Sequence, residues 1–143
     1  MRLEFKRIVP DAVLPSYARA GDAGLDLSAA IDATVEPGQR MMIPTGVAVA
    51  IPEGHAGLVL PRSGLASRHG LTLANSPGLI DAGYRGELTC SVVNLDPERA
   101  VTVSKGDRIA QLVVVEVPAM EPAWVEELPG SERGEGGFGS SGA

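Results

Sequence analysis

The stretch RIAQLVVVEV at residues 108–117 is one of five short runs rich in β-branched residues. The other runs are TGVAVAI at 45–51, AGLVL at 56–60, ELTCSVVNL at 87–95 and AVTVS at 100–104. Turn-forming sequences flank these runs: EPGQ at 36–39, PEG at 52–54, DPE at 96–98 and KGD at 105–107. Short strands at this spacing, joined by Gly and Pro turns, predict an all-β sandwich or barrel.

One short helix is predicted at residues 63–70, SGLASRHG, with Ser63 as its N-cap and Gly70 as its stop. No longer amphipathic helix alternates with the strands, so parallel βαβ architecture is disfavoured. We therefore expect an all-β fold, a distorted antiparallel β-barrel or jelly-roll-like fold with one short helix.

The last predicted strand is apolar on both faces, because it contains Val113, Val114, Val115 and Val117. Antiparallel sheets usually leave one face in water. Burial against other subunits explains this pattern, and so does a central position in the core of one chain. The sequence pattern leaves both explanations open.

Bulk composition excludes several classes of protein. A length of 143 residues indicates one domain. A net charge of -6 argues against a nucleic-acid partner. The charged N-terminus and the lack of a long apolar run argue against a signal peptide and a membrane partner. The single Cys90 and the two histidines exclude an internal disulfide and a zinc cluster, which favours a reducing, cytoplasmic location.

The composition changes after Trp124, since PGSERGEGGFGSSGA at 129–143 contains six glycines and three serines. Such a segment has too little apolar surface for a core. We expect residues 1–128 to form the β-barrel domain and residues 129–143 to form a flexible glycine-rich C-terminal arm. Composition alone favours a simple disordered tail over a functional arm.

Two polar clusters suggest anion or metal chemistry. AGDAGLDLSAA at 20–30 places Asp22 and Asp26 by a glycine-rich turn, where acidic residues either serve the turn or bind a metal. PRSGLASR at 61–68 places Arg62 and Ser63 at the start of the helix, where they suit either a phosphate or an ordinary capped helix.

Three further clusters have two interpretations each. ANSPGLIDAGYRGEL at 74–88 is predicted to be a hairpin, in which a partly buried Asp81 acts as a base on water or merely forms a turn. Gln111 interrupts an apolar strand and either contacts a ligand or faces outward. In the tail, Phe138, with an arginine and two serines nearby, suits a lid over a nucleotide.

Taken in order, AGDAGLDL, PRSGLA, NSPGLIDAGYRGEL, GDRIAQL and RGEGGFGSSG resemble the five ordered motifs of the trimeric dUTPase family. The resemblance implies a homotrimeric dUTP diphosphatase with Mg²⁺ as its cofactor. Water attack on the α-phosphorus of dUTP would yield dUMP and pyrophosphate. This reaction would keep dUTP low, prevent uracil incorporation into DNA and supply dUMP for thymidylate synthesis.

The resemblance also assigns roles to individual residues. Asp81 matches the catalytic Asp, Tyr84 the aromatic that excludes a 2′-OH, and Asn75 a uracil-reading position. Asp26 matches the residue that supports Mg²⁺ through water. Arg62, Ser63, Gly64 and Gln111 match phosphate contacts.

In the arm, Arg133 matches a γ-phosphate contact, and Phe138 matches the aromatic that stacks on uracil. Ser140 and Ser141 match further phosphate contacts. Each site would combine parts of three chains.

Two alternatives remain in view. A dCTP deaminase of similar fold would carry a catalytic Glu where this chain has Ser91. A catalytically inactive nucleotide sensor would have little reason to keep all five motifs. One motif departs from many relatives, since it reads RSG at 62–64 where they read RSS, so a backbone N–H at Gly64 would replace one hydroxyl contact.

Overall fold

The computed structural model describes residues 1–142. It contains short strands and one helix of seven residues. The strands are β1 (Glu4–Arg7), β2 (Leu25–Ser28), β3 (Ala33–Val35), β4 (Arg40–Ala50), β5 (His55–Pro61), β6 (Leu71–Leu73), β7 (Gly78–Ile80), β8 (Glu87–Asn94), β9 (Val101–Val103) and β10 (Arg108–Glu116). The helix α1 spans Ser63–His69, between β5 and β6.

The strands form two four-stranded antiparallel sheets and a two-stranded ribbon. The first sheet has the order β1-β4-β8-β6, the second has the order β2-β10-β5-β7, and β3 pairs with β9. Both large sheets contribute buried side chains to one core, among them Ile43 and Leu88 from the first and Leu27 and Leu112 from the second. This arrangement confirms the predicted all-β, jelly-roll-like fold with one short helix.

Strand β8 shows how the core is filled. Leu88, Cys90 and Val92 are buried, while the residues between them face outward, as the two-residue period of a strand requires. Burial raises the pKa of the Cys90 thiol to about 12, because the thiolate would lose its hydration. At the end of β8, the fully buried Asn94 side chain donates to the carbonyl oxygens of Val35 and Arg99, which ties the ribbon to the first sheet.

Strand β10 is central in the second sheet, because it pairs with β2 on one side and β5 on the other. Ala110 and Leu112 are buried in the core, whereas Gln111, Val113 and Val115 on the opposite face are only half-buried. The central position therefore accounts for one apolar face of β10. The outer face of β10 is only partly covered by the chain's own described residues.

The helix begins one residue differently from the prediction. Ser63 is the first helical residue and not the N-cap, because Arg62 holds the cap position with an extended backbone at φ -91° and ψ 127°. No side chain caps the helix. Pro61 is still paired in β5, so the chain passes from strand to helix within a single residue. The predicted stop is confirmed, since Gly70 adopts φ 72°, which favours glycine.

The chain leaves the barrel after β10. The N–H of Val117 donates to the carbonyl oxygen of Gly54, and beyond it no hydrogen bond among the described residues joins 118–142 to the rest of the chain. Residues 118–142 contain neither helix nor strand. Trp124 and Phe138 are fully exposed. Ala143, the last residue of the predicted arm, lies outside the described residues. No helix among residues 1–142 is long and apolar enough to cross a membrane.

Candidate functional site

A pocket of about 450 Å³ lies where β2, β10 and the start of α1 meet. Its polar lining groups, together with two glycines, are Asp22, Gly24, Asp26, Arg62, Ser63, Gly64 and Gln111. Five of the predicted site residues are therefore neighbours in one chain. A larger cavity of about 550 Å³ lies by the N-terminal segment and contains none of the predicted site residues, so the smaller polar pocket is the better candidate.

Asp26 is held between two arginines. Its Oδ1 lies 3.5 Å from Arg62 Nε, and its Oδ2 lies 3.3 Å from Arg108 Nη1. The Asp26 side chain is only 13% exposed, so both ion pairs are partly shielded from solvent. Arg62 also donates through Nη1 to the carbonyl oxygen of Arg108, at 3.1 Å. The three side chains form one connected network.

Gln111 faces the pocket from the outer face of β10. Its Nε2 donates to the carbonyl oxygen of Pro61 at 3.0 Å, so the amide already has a protein partner. A Cβ on Gly24 would collide with the Gln111 side chain, which explains the glycine at this position of the first motif. Nothing lies within 4 Å of a Cβ placed on Gly64, so this glycine leaves open space beside the exposed Ser63.

Asp22 and Arg108 are two charged residues near the pocket to which the family resemblance assigned no role. The Oδ2 of Asp22 accepts a hydrogen bond from the N–H of Arg19 at 2.9 Å, so Asp22 stabilises its own turn. Arg108 contacts the Asp26 carboxylate, although the sequence analysis did not single it out. The sequence feature that could have indicated it is its place in GDRIAQL, at the start of the strand that carries Gln111.

The segment 74–88 differs from the predicted hairpin. β6 and β8 do pair with each other, but β7 between them pairs with β5 in the second sheet. The segment therefore bridges the two sheets. Asn75 lies in this bridge and is exposed, with its Nδ2 3.2 Å from a Cβ placed on Gly78.

Asp81 follows β7 and is exposed, so the expected partial burial is wrong for the single chain. The reason is that Asp81 opens a surface turn: its carbonyl oxygen accepts from the N–H of Tyr84 at 3.0 Å. Two side chains stabilise this turn by hydrogen bonds. The Tyr84 hydroxyl donates to the carbonyl oxygen of Glu87 at 3.0 Å. Arg85 donates to the carbonyl oxygens of Ala82 and Tyr84, at 2.7 and 2.9 Å.

One chain does not bring Asp81 to the polar pocket. Asp26 lies opposite Gln111, which lies opposite Leu60, while Ile80 lies opposite Gly57 at the far edge of the sheet. Asp26 and Ile80 are separated by three strand spacings across the sheet and by three residues along the strands. This separation corresponds to roughly 17 Å. The second sheet therefore places the two groups at different edges.

The tail residues do not reach the pocket either. Arg133 Nε donates to the carbonyl oxygen of Gly136, at 2.6 Å, and the N–H of Ser140 donates to the carbonyl oxygen of Gly137. Phe138 is fully exposed at φ 44°, and Ser141 is exposed. Within a single chain, the predicted site is thus divided into three separate parts.

The polar pocket fits a hydrated cation better than a directly bound one. No group of three or more His, Cys, Asp or Glu side chains within residues 1–142 could hold a metal ion. Among residues 1–142, Asp26 is the one carboxylate that pairs with Arg62 in the pocket and with Arg108 beside it. Mg²⁺ keeps several waters and prefers phosphate with few protein ligands, so a single carboxylate acting through water suits it.

The jelly-roll-like barrel thus combines a polar pocket that contains Asp26 and Arg62, a separate turn that carries Asp81 and Tyr84, and a C-terminal segment with neither helix nor strand. The model of the dUTPase family matches residues 11–142. The chain belongs to the dUTPase family.

Individual relatives agree with this assignment. The chain is 56% identical over 137 residues to a deoxyuridine 5′-triphosphate nucleotidohydrolase of Streptomyces coelicolor, covering 96% of this chain and 75% of the relative. Among solved structures, a mutant dUTPase of Staphylococcus bacteriophage 80alpha with dUpNHpp superposes with a TM-score of 0.91 at 35% identity, covering 99% of both chains. A phage phi11 dUTPase of S. aureus, described as showing the coordination of a structural Mg(II) ion, gives 0.84 at 30% identity, covering 91% of this chain and all of the other.

Proposed function

We infer that this chain hydrolyses dUTP to dUMP and pyrophosphate as a dUTP diphosphatase. Membership of the dUTPase family supports the reaction. The structural observation that supports the site assignment is one pocket lined by Asp26, Arg62 and Gln111, in which Arg62 lies 3.5 Å from Asp26 and Gln111 contributes an amide. The Arg62 side chain is partly exposed, and a guanidinium group suits phosphate oxygens, so this pocket is the triphosphate half of the site.

The turn after β7 is the reacting half of the site. Asp81 orients the attacking water and accepts its proton, and attack at the α-phosphorus releases pyrophosphate. The Tyr84 hydroxyl is hydrogen-bonded to the carbonyl oxygen of Glu87, which holds the ring against the sugar. A 2′-OH would then clash sterically with the ring. Asn75 lies in the same bridge between the sheets, at the uracil end of the site.

The phosphate contacts come from the polar pocket and from the arm. Arg62, Ser63, Gly64 and Gln111 supply the first set. Mg²⁺ bound with the phosphates would neutralise part of their charge, and Asp26 would face it through water. The arm of residues 129–143 supplies Arg133, Ser140 and Ser141 to the phosphates and Phe138 to the base. Stacking of a base on an aromatic ring does not require one exact orientation, so it suits a contact made by a mobile arm.

A homotrimer would join these separated parts. The pocket and the Asp81 turn lie roughly 17 Å apart in one chain, so two chains can each contribute one of them to a shared site. The outer face of the second sheet supplies an interface: Val113 lies opposite Leu58, which lies opposite the exposed Leu79. Trp124 is fully exposed in a segment that makes no hydrogen bond with the described residues of its own barrel, so this segment is available to contact a third chain. The substrate and the lone thiol of Cys90 support a cytoplasmic location.

The direct test measures products. Purified protein with dUTP and Mg²⁺ should release dUMP and pyrophosphate in equal amounts, with UTP, dTTP and dCTP as comparison substrates. Asp81→Asn should bind a dUTP analogue within about tenfold of the wild type while turnover falls at least roughly 100-fold, the usual scale for losing a general base. Deamination of dCTP, or near-normal turnover by Asp81→Asn, would contradict the proposed chemistry.

A further inference from the structure

The Tyr84 side chain lies against the backbone of Gly86, two residues further along the chain. A Cβ placed on Gly86 would lie 2.6 Å from Tyr84 Cζ and 3.0 Å from Tyr84 Cε2, and the hydroxyl oxygen would be closer still. Carbon atoms pack at about 3.5–4.0 Å, so a side chain at position 86 and the Tyr84 ring cannot both keep these places.

The backbone at Gly86 does not itself require glycine. Its φ lies outside the left-handed region, unlike that of Gly46, which is at 73°. An alanine can therefore adopt the same backbone conformation. What the structure excludes at position 86 is the volume of a side chain, and the group that takes this volume is the Tyr84 ring.

The backbone beside Gly86 is fixed more firmly than the ring. Glu87 pairs with Ala48 of β4, and its Oε1 accepts a hydrogen bond from the N–H of Gly46 at 2.9 Å. Tyr84 is 44% exposed, and its hydroxyl donates to the carbonyl oxygen of Glu87 at 3.0 Å. A clash at position 86 is therefore relieved by movement of the ring towards solvent, and this movement breaks the hydrogen bond to Glu87.

We propose that Gly86 is a specificity-determining residue, because the absence of a side chain there lets Tyr84 lie in the position that excludes a ribose. This inference rests on the proposed function, in which the Tyr84 ring clashes with a 2′-OH. With a side chain at position 86, the ring would lose both its packing surface and its hydrogen-bond acceptor. A ring without these contacts can turn aside when a ribose enters, so UTP is rejected less strictly.

The test compares kcat/KM for dUTP and for UTP in Gly86→Ala. We expect the ratio of the two constants to fall about tenfold, the lower end of what one methylene contributes to substrate discrimination. The fall should exceed that of Tyr84→Phe, which loses the hydrogen bond but keeps the packing against Gly86. It should not exceed that of Tyr84→Ala, which loses the whole ring. An unchanged or higher ratio in Gly86→Ala would overturn the inference.

Gly83→Ala is the matched control. Gly83 lies in the same turn, its φ is also outside the left-handed region, and nothing lies within 4 Å of a Cβ placed on it. The variant adds the same methyl group without touching the ring, so the wild-type ratio should hold within about twofold. An equal fall in Gly83→Ala and Gly86→Ala would show that the turn responds to any added methyl group, and it would contradict the proposed role of Gly86.

A double variant tests whether the methyl group acts through the ring, even where Gly86→Ala alone is unstable. In the wild-type background, Gly86→Ala should lower both the melting temperature and the substrate ratio. In the Tyr84→Ala background there is no ring to displace, so the same substitution should leave both values nearly unchanged. Equal effects in the two backgrounds would refute the inference, because the methyl group would then act independently of Tyr84.

The outcomes also separate this inference from the proposed function. A wild type that does not hydrolyse dUTP would refute the function itself, and an unchanged ratio in Tyr84→Ala would refute the role of Tyr84 in reading the sugar. A Tyr84→Ala variant that accepts UTP, together with a Gly86→Ala variant that keeps the wild-type ratio, would refute the inference about Gly86 alone.

Discussion

Two inactive variants should restore activity to each other if each site is shared between chains. Arg62→Gln removes the guanidinium of the polar pocket, and Asp81→Asn removes the carboxylate of the reacting turn. These groups belong to regions roughly 17 Å apart across the second sheet of one chain. A site that uses both therefore takes Arg62 from one chain and Asp81 from another, and a chain carrying one lesion can still supply the intact half.

The size of the recovery follows from random assembly. In an equal mixture, half of the chains supply an intact Arg62 and the other half supply an intact Asp81. About a quarter of the shared sites then receive both, so activity should reach about a quarter of the wild-type value after subunits are exchanged. Each variant alone should stay at about a hundredth of the wild-type turnover or below.

The assay is co-refolding of the two full-length variants at several ratios, followed by measurement of pyrophosphate release. Each variant refolded alone, and the wild type refolded alone, are the controls. Activity should be highest at equal amounts of the two variants. A mixture no more active than the sum of its parts would show that Arg62 and Asp81 act within one chain, and the trimer argument would fail.

Other variants test other parts of the site. Tyr84→Ala should admit UTP, because the ring would no longer exclude a 2′-OH, whereas Tyr84→Phe keeps the ring without its anchor on Glu87 and should weaken the exclusion less; the ratio of kcat/KM for dUTP and UTP decides this. Deleting residues 130–143 should remove most turnover yet leave a folded trimer by light scattering, and Phe138→Ala alone should cost about 1–3 kcal/mol in transition-state binding. Cys90 should react with a thiol reagent only after unfolding, and stability should fall as pH rises above 9.0, because the unfolded thiol ionises before the buried one.

The sequence predicted the long strands well and the short ones poorly. The predicted run at 87–95 matches β8 to within one residue, whereas the run at 45–51 covers only the second half of β4, which begins at Arg40. Buried β-branched residues and Gly or Pro turns mark both runs. Strands such as β3 and β6 have only three residues, too few for a two-residue period to be recognised. Their pairing depends on distant partners, which a local pattern does not contain.

The site was predictable as a set of motifs but not as an arrangement. Motif order alone pointed to Asp26, Arg62 and Gln111, and the structure brings these three together. The same motifs gave no indication that Arg108 clamps Asp26, since an arginine at a strand end usually faces water. The prediction of Ser63 as the N-cap was wrong, although serine suits that position chemically. Arg62 is the N-cap instead, because strand pairing fixes its extended backbone.

The exposure of Asp81 ties the chemistry to assembly. A carboxylate in open water is well hydrated, and hydration weakens its interaction with a single bound water. The chain's own fold leaves Asp81 and the neighbouring Leu79 on the surface, with Leu79 64% exposed. If a second barrel covers the Leu79 face and the arm of a third chain closes over the turn, water is excluded at the same step that brings Arg62 into the site. Assembly would then supply both the missing groups and the dry environment in which Asp81 can act, so a monomeric barrel should bind dUTP weakly and turn it over slowly.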